Sequence, residues 1–356
     1  MKQTTTTKNK KVLITGGAGF LGLHLARYFK NQGWQVSLLD IADYPSHEYD
    51  NWGFELLKID VRDKQKVDRA VSGKDVVVHA AAALPLWSQE DIFSTNINGT
   101  VNVATSALKH KVKRMVHISS TAVYGVPEKH PIVETDPLIG VGAYGESKIE
   151  AEKRLNQFLT QGLNLTIFRP KTFVGTERLG VFEILFDWIH DGKKIPVIGD
   201  GNNRYQLMDV DDLVEAIHLV SLSTDKKLND VFNIGAKEFG TVKEDLEALF
   251  KHAGSGSRLM STPAGLVKGT LRVLEKLNLS PLYQWVYDTA DKDSFVSIKK
   301  LEKTLGWSPK FSNADALIKS YDWYQDHYDE IKSRGEGVSH TVGWKQGALG
   351  LVKKLM

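Results

Sequence analysis

Tyr144 and Lys148 stand four residues apart in AYGESKIEAEKRL. If that stretch is a helix, one turn separates them and both side chains leave the same face. A free phenol titrates near ~10 and is a poor base at neutral pH, whereas an ammonium beside it favours the phenolate. Such a pair takes the proton from an alcohol as its carbon is oxidised, or returns it to the alkoxide when a ketone is reduced. Upstream, HISSTAVYG (117–125) closes an apolar run with three hydroxyls. Ser120 is the candidate to hydrogen-bond the reacting oxygen and turn it toward Tyr144, with Ser119 and Thr121 as alternatives. An isolated Y-x-x-x-K is also an ordinary surface pair, and a strand-end serine is also a backbone cap, so the order of features along the chain decides.

That order begins with a nucleotide loop. The apolar run KVLIT (11–15) leads at once into Gly16, Gly19 and Gly22, with Phe20 and Leu21 between the last two, and then into the helix-like LHLARYFK. Glycines let the backbone turn tightly against a pyrophosphate, and the following helix offers its unpaired N–H groups and positive dipole end. The G-x-x-G-x-x-G spacing is that of short-chain dehydrogenases. Asp40 ends the next apolar run, where a carboxylate accepts hydrogen bonds from the adenosine ribose and repels a 2′-phosphate. With no arginine in the following Ile41, Ala42 and Asp43, NAD is the expected cofactor.

To hold these groups together the chain must supply a sheet. Short apolar runs at 11–15, 35–39, 54–60, 76–79, 113–119 and 165–168 alternate with amphipathic stretches, the pattern of βαβ units and parallel strands covered on both faces. After Pro170 the rhythm weakens; a helix is expected around 182–190, then a turn-rich stretch from Gly199, and VFNI (231–234) reads as one more strand. The fold class is therefore α/β: a Rossmann-type doubly wound parallel sheet with a smaller, mostly helical C-terminal substrate lobe. The expected division is 10–170 plus about 205–238 for the NAD-binding domain, 171–204 plus 239–330 for the lobe, and 331–356 for an amphipathic tail.

The bulk numbers fit a globular enzyme. There are 356 residues, 42% hydrophobic and 25% charged, with a net charge of +3 and no long single-sign block, which argues against a nucleic-acid partner. Zero cysteines exclude thiolate catalysis and cysteine-bound metal. His79 and His117 read as buried strand-end residues, since no H-E-x-x-H cluster occurs, and no metal site is expected. MKQTTTTKNKK lacks a secretory hydrophobic stretch and no run is long enough to span a bilayer, so cytoplasm is the expected location.

Taken together, TGGAGFLG (15–22), Asp40, Asp60–Val61, HAAA (79–82), Asn96 in STNINGT, SSTAVYG and YGESK resemble the extended short-chain dehydrogenases, the NAD-dependent epimerase/dehydratase family. The likeness runs from about residue 10 to about residue 330 and continues in GDGNNRYQLMDVDDLVEA and LGWSP (305–309). It implies that Asp60 and Val61 hold the adenine, that Ala80, Ala81 and Ala82 line the cofactor channel, and that Asn96 supports the site. Pro170 joins the cofactor residues; Thr121, Lys171, Thr172 and Arg204 become candidate substrate contacts. The likeness also places the family's serine or threonine on Ser120.

Substrate marks point two ways. Members acting on nucleotide sugars usually carry an asparagine where this chain has Thr172, and an arginine before LGW that 287–300 lacks. The stretch 273–297 and YGESKIEAE look more like the 3β-hydroxysteroid dehydrogenase branch. Two amphipathic stretches, Ala264 to Leu279 and a face of Trp344, Ala348, Leu351, Val352 and Leu355, could pack on the protein or a second subunit, or rest peripherally on the inner membrane surface. The leading expectation is hence an NAD-dependent alcohol–ketone oxidoreductase, acting as a homodimer on a lipophilic sterol, isoprenoid or acyl substrate. The alternatives are a nucleotide-sugar 4-epimerase or 4,6-dehydratase, and a non-catalytic NAD-binding scaffold.

Overall fold

The computed structural model describes residues 10–276 apart from Pro45 and Leu86, residues 284–333, the pairs 336–337 and 343–344, and Lys353. Seven strands form its main sheet: β1 (Lys11–Thr15), β2 (Gln35–Asp40), β3 (Glu55–Lys58), β4 (Val76–His79), β5 (Arg114–Ile118), β6 (Leu165–Pro170) and β10 (Val231–Ile234). Their order is β10-β6-β5-β4-β1-β2-β3, with every pairing parallel. Direction reverses between β1 and β4, and at such a switch point a crevice opens beyond the carboxyl ends of the strands.

Alternation along each strand feeds two cores. Val12, Ile14, Val76, Val78, Val116, Ile118 and Phe168 face helices Phe20–Asn31 and Val210–Ser221. Leu13, Val77, Met115, Leu165 and Ile167 face helices Lys64–Val71, Thr100–Lys109 and Gly142–Thr160. The run 54–60 departs from the expectation of a buried strand: β3 is an edge strand that is largely exposed and carries Glu55 and Lys58. Charged residues there discourage edge-to-edge pairing. At the opposite edge, Lys300 donates to the Val231 carbonyl at 2.9 Å, while Leu301 and Trp307 of the LGW segment sink into the first core.

The chain leaves the sheet after Pro170, and a third core gathers Val174, Phe182, Phe186, Ile189, Leu249, Leu317 and Tyr324. It holds helices Val181–His190, Val242–Ala253 and Asn313–Asp326, and β8 (Lys194–Ile198) pairs beside it with β11 (Arg258–Thr262). The two-residue strands β7 (Phe173–Val174) and β9 (Met208–Asp209) carry the chain out and back, so β10 reaches β6 only after this excursion. Asn313, 1% exposed, ties the parts together: its Nδ2 donates to the Tyr205 carbonyl and to Asp245, and its Oδ1 accepts from Leu207 N–H.

The first amphipathic stretch is helical as expected, and the second departs from the expectation at Trp344. Helix Ala264–Lys276 buries Leu271 but leaves Leu266 71% and Val273 58% exposed, and 277–279 lie outside the described residues. Trp344 belongs to the short strand Gly343–Trp344 rather than to a helix, because the segment pairs with Glu336–Gly337. Ala348, Leu351, Val352 and Leu355 lie outside the described residues. Lys353 ion-pairs with Asp187 and, at 2.8 Å, with Asp191. No helix among the described residues is long and apolar enough to cross a membrane.

Candidate active site

A cavity of about 850 Å³ opens at the switch point, lined from the glycine loop through the ends of β2, β4, β5 and β6 to Arg178. Gly16 adopts φ +74°, and a Cβ there would stand 2.8 Å from Ala81 N; a Cβ at Gly22 would stand 2.1 Å from the Gly16 carbonyl. Both contacts are too close for any other residue, so loop, helix and β4 pack only with glycine here. Gly19 caps the helix without a side-chain hydrogen bond and the first turn holds no acid, which leaves an anion site at the N–H groups. The Asp40 carboxylate accepts from Ala18 N–H and Ala42 N–H, each at 3.0 Å, so it braces the loop while retaining lone pairs for ribose hydroxyls.

Asp60 and Val61 line the same end. Asp60 accepts from the backbone and the guanidinium of Arg62, which holds its carboxyl below the usual range. Val61 closes on Gly99, where a Cβ would come within 2.6 Å of Val61 Cγ2. Ala80, Ala81 and Ala82 form the adjoining wall, with Pro170 opposite. Asn96 is buried behind it in a π-helical turn, accepting from Ala83 N–H at 2.8 Å and donating to Ser147 Oγ at 3.0 Å. Ser147 in turn donates to the Tyr144 carbonyl, so Asn96 couples the exit of β4 to the helix that carries the tyrosine. The side-chain-free cradle, the ribose-level carboxylate and the apolar channel together fit a dinucleotide.

At the other end, helix Gly142–Thr160 presents Tyr144 and Lys148 to the cavity. Of the three hydroxyls, Ser120 hydrogen-bonds the Tyr144 phenol and accepts from Ala122 N–H. Ser119 donates instead to Glu152 at 2.5 Å, and Thr121 to the Pro170 carbonyl at 3.3 Å. The expected acidification of the phenol is not found: burial pushes Tyr144 up to about 12, opposed by the Ser120 bond. Lys148 Nζ stands 5.8 Å from the ring centroid and donates to the Ile118 carbonyl. Burial drives Lys148 down to about 8, with Glu152 pulling the other way. Desolvation thus outweighs the Ser120 hydrogen bond at the phenol.

A buried network behind this cluster escaped the sequence reading. Arg169 donates to both Glu152 oxygens and, through Nη1, to Tyr124 Oη at 2.7 Å, while Tyr124 donates to Asn233. Glu152 lies one turn beyond Lys148 on the same helix, and continuing the four-residue spacing past Lys148 would have found it. Arg178, also missed, reaches the cavity wall among the rings of Phe20, Phe173 and Phe182. It follows Glu177, whose backbone is left-handed (φ +67°) and whose carboxylate pairs with Arg27 at 2.6 Å; no local sequence signal marks such a turn.

Lys171 and Thr172 line the cavity as well, whereas Arg204 lies outside its wall, stacked over Phe239 and Phe295. The lining carboxylates, Asp40, Asp43 and Asp60, all sit at the loop end. His79 bridges Thr15 and Thr100 by its two ring nitrogens, beside the equally buried His117. No group of three or more potential metal ligands occurs among the described residues.

Residues 12–235 match the model of the NAD dependent epimerase/dehydratase family. A dTDP-glucose 4,6-dehydratase of Streptomyces niveus is 28% identical over 357 residues, covering 92% of this chain and 97% of that one. A UDP-glucose 4-epimerase of Lactobacillus helveticus is 28% identical over 347 residues, covering 89% and 98%. The fold is shared with the UDP-glucose 4-epimerase of Thermotoga maritima, solved with UDP-glucose, at a TM-score of 0.74 and 23% identity over 89% of this chain and 99% of that one. With its glycine cradle, its sheet order and this match over more than half its length, the chain belongs to the NAD dependent epimerase/dehydratase family and is an NAD-dependent enzyme.

Proposed function

We propose that the protein is a nucleotide-sugar epimerase: it oxidises one secondary alcohol of a sugar and reduces the ketone again from the opposite face. The observation that carries this is the Ser120, Tyr144 and Lys148 cluster in a wall whose carboxylates, among the described residues, are confined to the opposite end. A dehydratase must also remove a carbon-bound proton and expel a hydroxyl, work suited to an acid–base pair of carboxylates beside the reacting carbon. The two relatives named above for nucleotide sugars support the substrate class.

NAD, when bound, supplies a reversible two-electron acceptor. Gly16, Gly19, Gly22, Phe20 and Leu21 hold its pyrophosphate, Asp40 its adenosine ribose, and Asp60 and Val61 the adenine. Ser120 orients the sugar hydroxyl; Tyr144 takes its proton during oxidation and returns it to the alkoxide on reduction; Lys148 holds positive charge beside the phenol. Three cations of the two amphipathic stretches are held by carboxylates of the same chain. Lys268 pairs with Asp291, Arg272 with Asp288, and Lys353 with Asp187 and Asp191.

The test is to incubate the NAD-loaded protein with UDP- and TDP-hexoses and follow the sugar by NMR. Conversion to an epimer without net change in nicotinamide absorbance is expected. A requirement for stoichiometric added NAD would instead establish a dehydrogenase.

A further inference from the structure

Lys171 is a cation of the cavity wall for which proton transfer at Tyr144 has no use. Its backbone N–H donates to the Ile234 carbonyl at 2.9 Å, so the sheet fixes where its side chain begins. The ammonium is 1% exposed. It donates to Ser294 Oγ at 2.6 Å and lies 4.8 Å from the centroid of the Tyr205 ring. Among the described residues no carboxylate comes within ion-pair reach of it, unlike buried Arg169, which grips Glu152. Burial alone drives its pKa down to about 7. An ammonium so placed is costly unless a counter-charge arrives, and the cavity is where one can arrive.

Its surroundings suit an oxyanion. Thr172 lines the same wall and hydrogen-bonds Tyr205; Ser294, outside the wall, accepts from the ammonium and so fixes its position. His130 lies near enough for Lys171 to lower its pKa, and burial keeps that imidazole neutral at pH 7. Asp293 accepts from the Arg204 backbone N–H and faces His130. The position relative to the chemistry is set by Thr121, which follows Ser120 and donates to Pro170, the residue before Lys171. The anion therefore belongs next to the reacting carbon.

Resting on the nucleotide-sugar reading above, we propose that Lys171, positioned by Ser294 and with Thr172 beside it, binds a carboxylate carried by the sugar ring, so that the substrate is a nucleotide-linked glycuronic acid. The two anions of such a ligand are separable, because a neutral nucleotide hexose keeps the diphosphate and lacks the carboxylate.

Isothermal titration of the NAD-loaded protein with UDP-glucuronate and with UDP-glucose, at pH 6.5 and 8.5 in buffers of different ionisation heat, tests this. The wild type is expected to favour the uronate by about tenfold or more at the lower pH, and to take up a proton on binding it at the higher pH. In Lys171→Met both the preference and the proton uptake disappear; Lys171→Gln gives the same comparison should the methionine variant fold poorly. Equal weakening of both ligands by either variant, or a wild type that binds them alike, overturns the carboxylate subsite and leaves the epimerase reading standing. Failure of the wild type to bind or convert any nucleotide sugar would sink that reading instead.

Discussion

Tyr144 carries its proton at neutral pH and must shed it before it can take one from the sugar hydroxyl. Burial holds the phenol near 12, and Ser120 supplies the hydrogen bond that favours ionisation. Tyr144→Phe should lower turnover by about 10²–10⁴-fold, the range for a positioned acid–base group, while NAD affinity measured by titration stays nearly constant. Lys148 was legible from its spacing, but its burial was not. Sequence shows a positive charge one turn away; only the packing shows that both groups lie in a desolvated wall. That packing has a price in stability. The folded pKa of about 8 lies below the unfolded value near 10.5, so folding binds fewer protons than the unfolded chain between those limits. Below pH 8 the full penalty of burying the ammonium applies, on the order of 3 kcal/mol, and it fades as pH rises through 10.5. Lys148→Met should thus be more stable than wild type at pH 7 in urea melts and lose that advantage by pH 10, although its turnover collapses.

Among the elements, helix Gly142–Thr160 carries most of the site: Tyr144, Lys148 and Glu152 recur every four residues on its inner face. Glu152 and Arg169 fasten that face to β6. Glu152→Gln leaves the guanidinium buried with a neutral partner, and removal of one member of a buried pair costs about 3–5 kcal/mol. The denaturation midpoint should fall accordingly, and more than for a surface change such as Glu150→Gln. The strands were readable because buried parallel strands are short, apolar and β-branched, as VVVH and KVLIT are. β3 misled because FELLKID is as apolar as its neighbours, and edge position depends on strand order, which no local run encodes. Glu177 was hidden for a related reason: its left-handed turn goes with an ion pair to Arg27, 150 residues away in the chain.

On the scale of the whole molecule, the cavity is assembled from segments that meet only after the chain has crossed between sheet and lobe several times. The buried Asn313 is one junction of those crossings. Asn313→Ala strands the Tyr205 carbonyl, the Leu207 N–H and a carboxylate at once, and should cost about 1–3 kcal/mol for each group left unmade. Because Tyr205 stands against Lys171 and Thr172, affinity for the sugar should fall further than affinity for NAD, which separate titrations will distinguish. Composition and alternation made the sheet plus lobe legible, whereas the substrate did not show, since the cavity wall gathers side chains from segments as far apart as Asp40, Ser120 and Arg178. The late arrival of β10 also bears on biosynthesis. As the nascent chain leaves the ribosome, β6 emerges more than sixty residues before the strand that covers its outer edge. Through that interval an apolar LTIF ribbon offers open hydrogen-bonding groups to any neighbour, so expression at high translation rates should yield aggregates that a co-translational holdase suppresses.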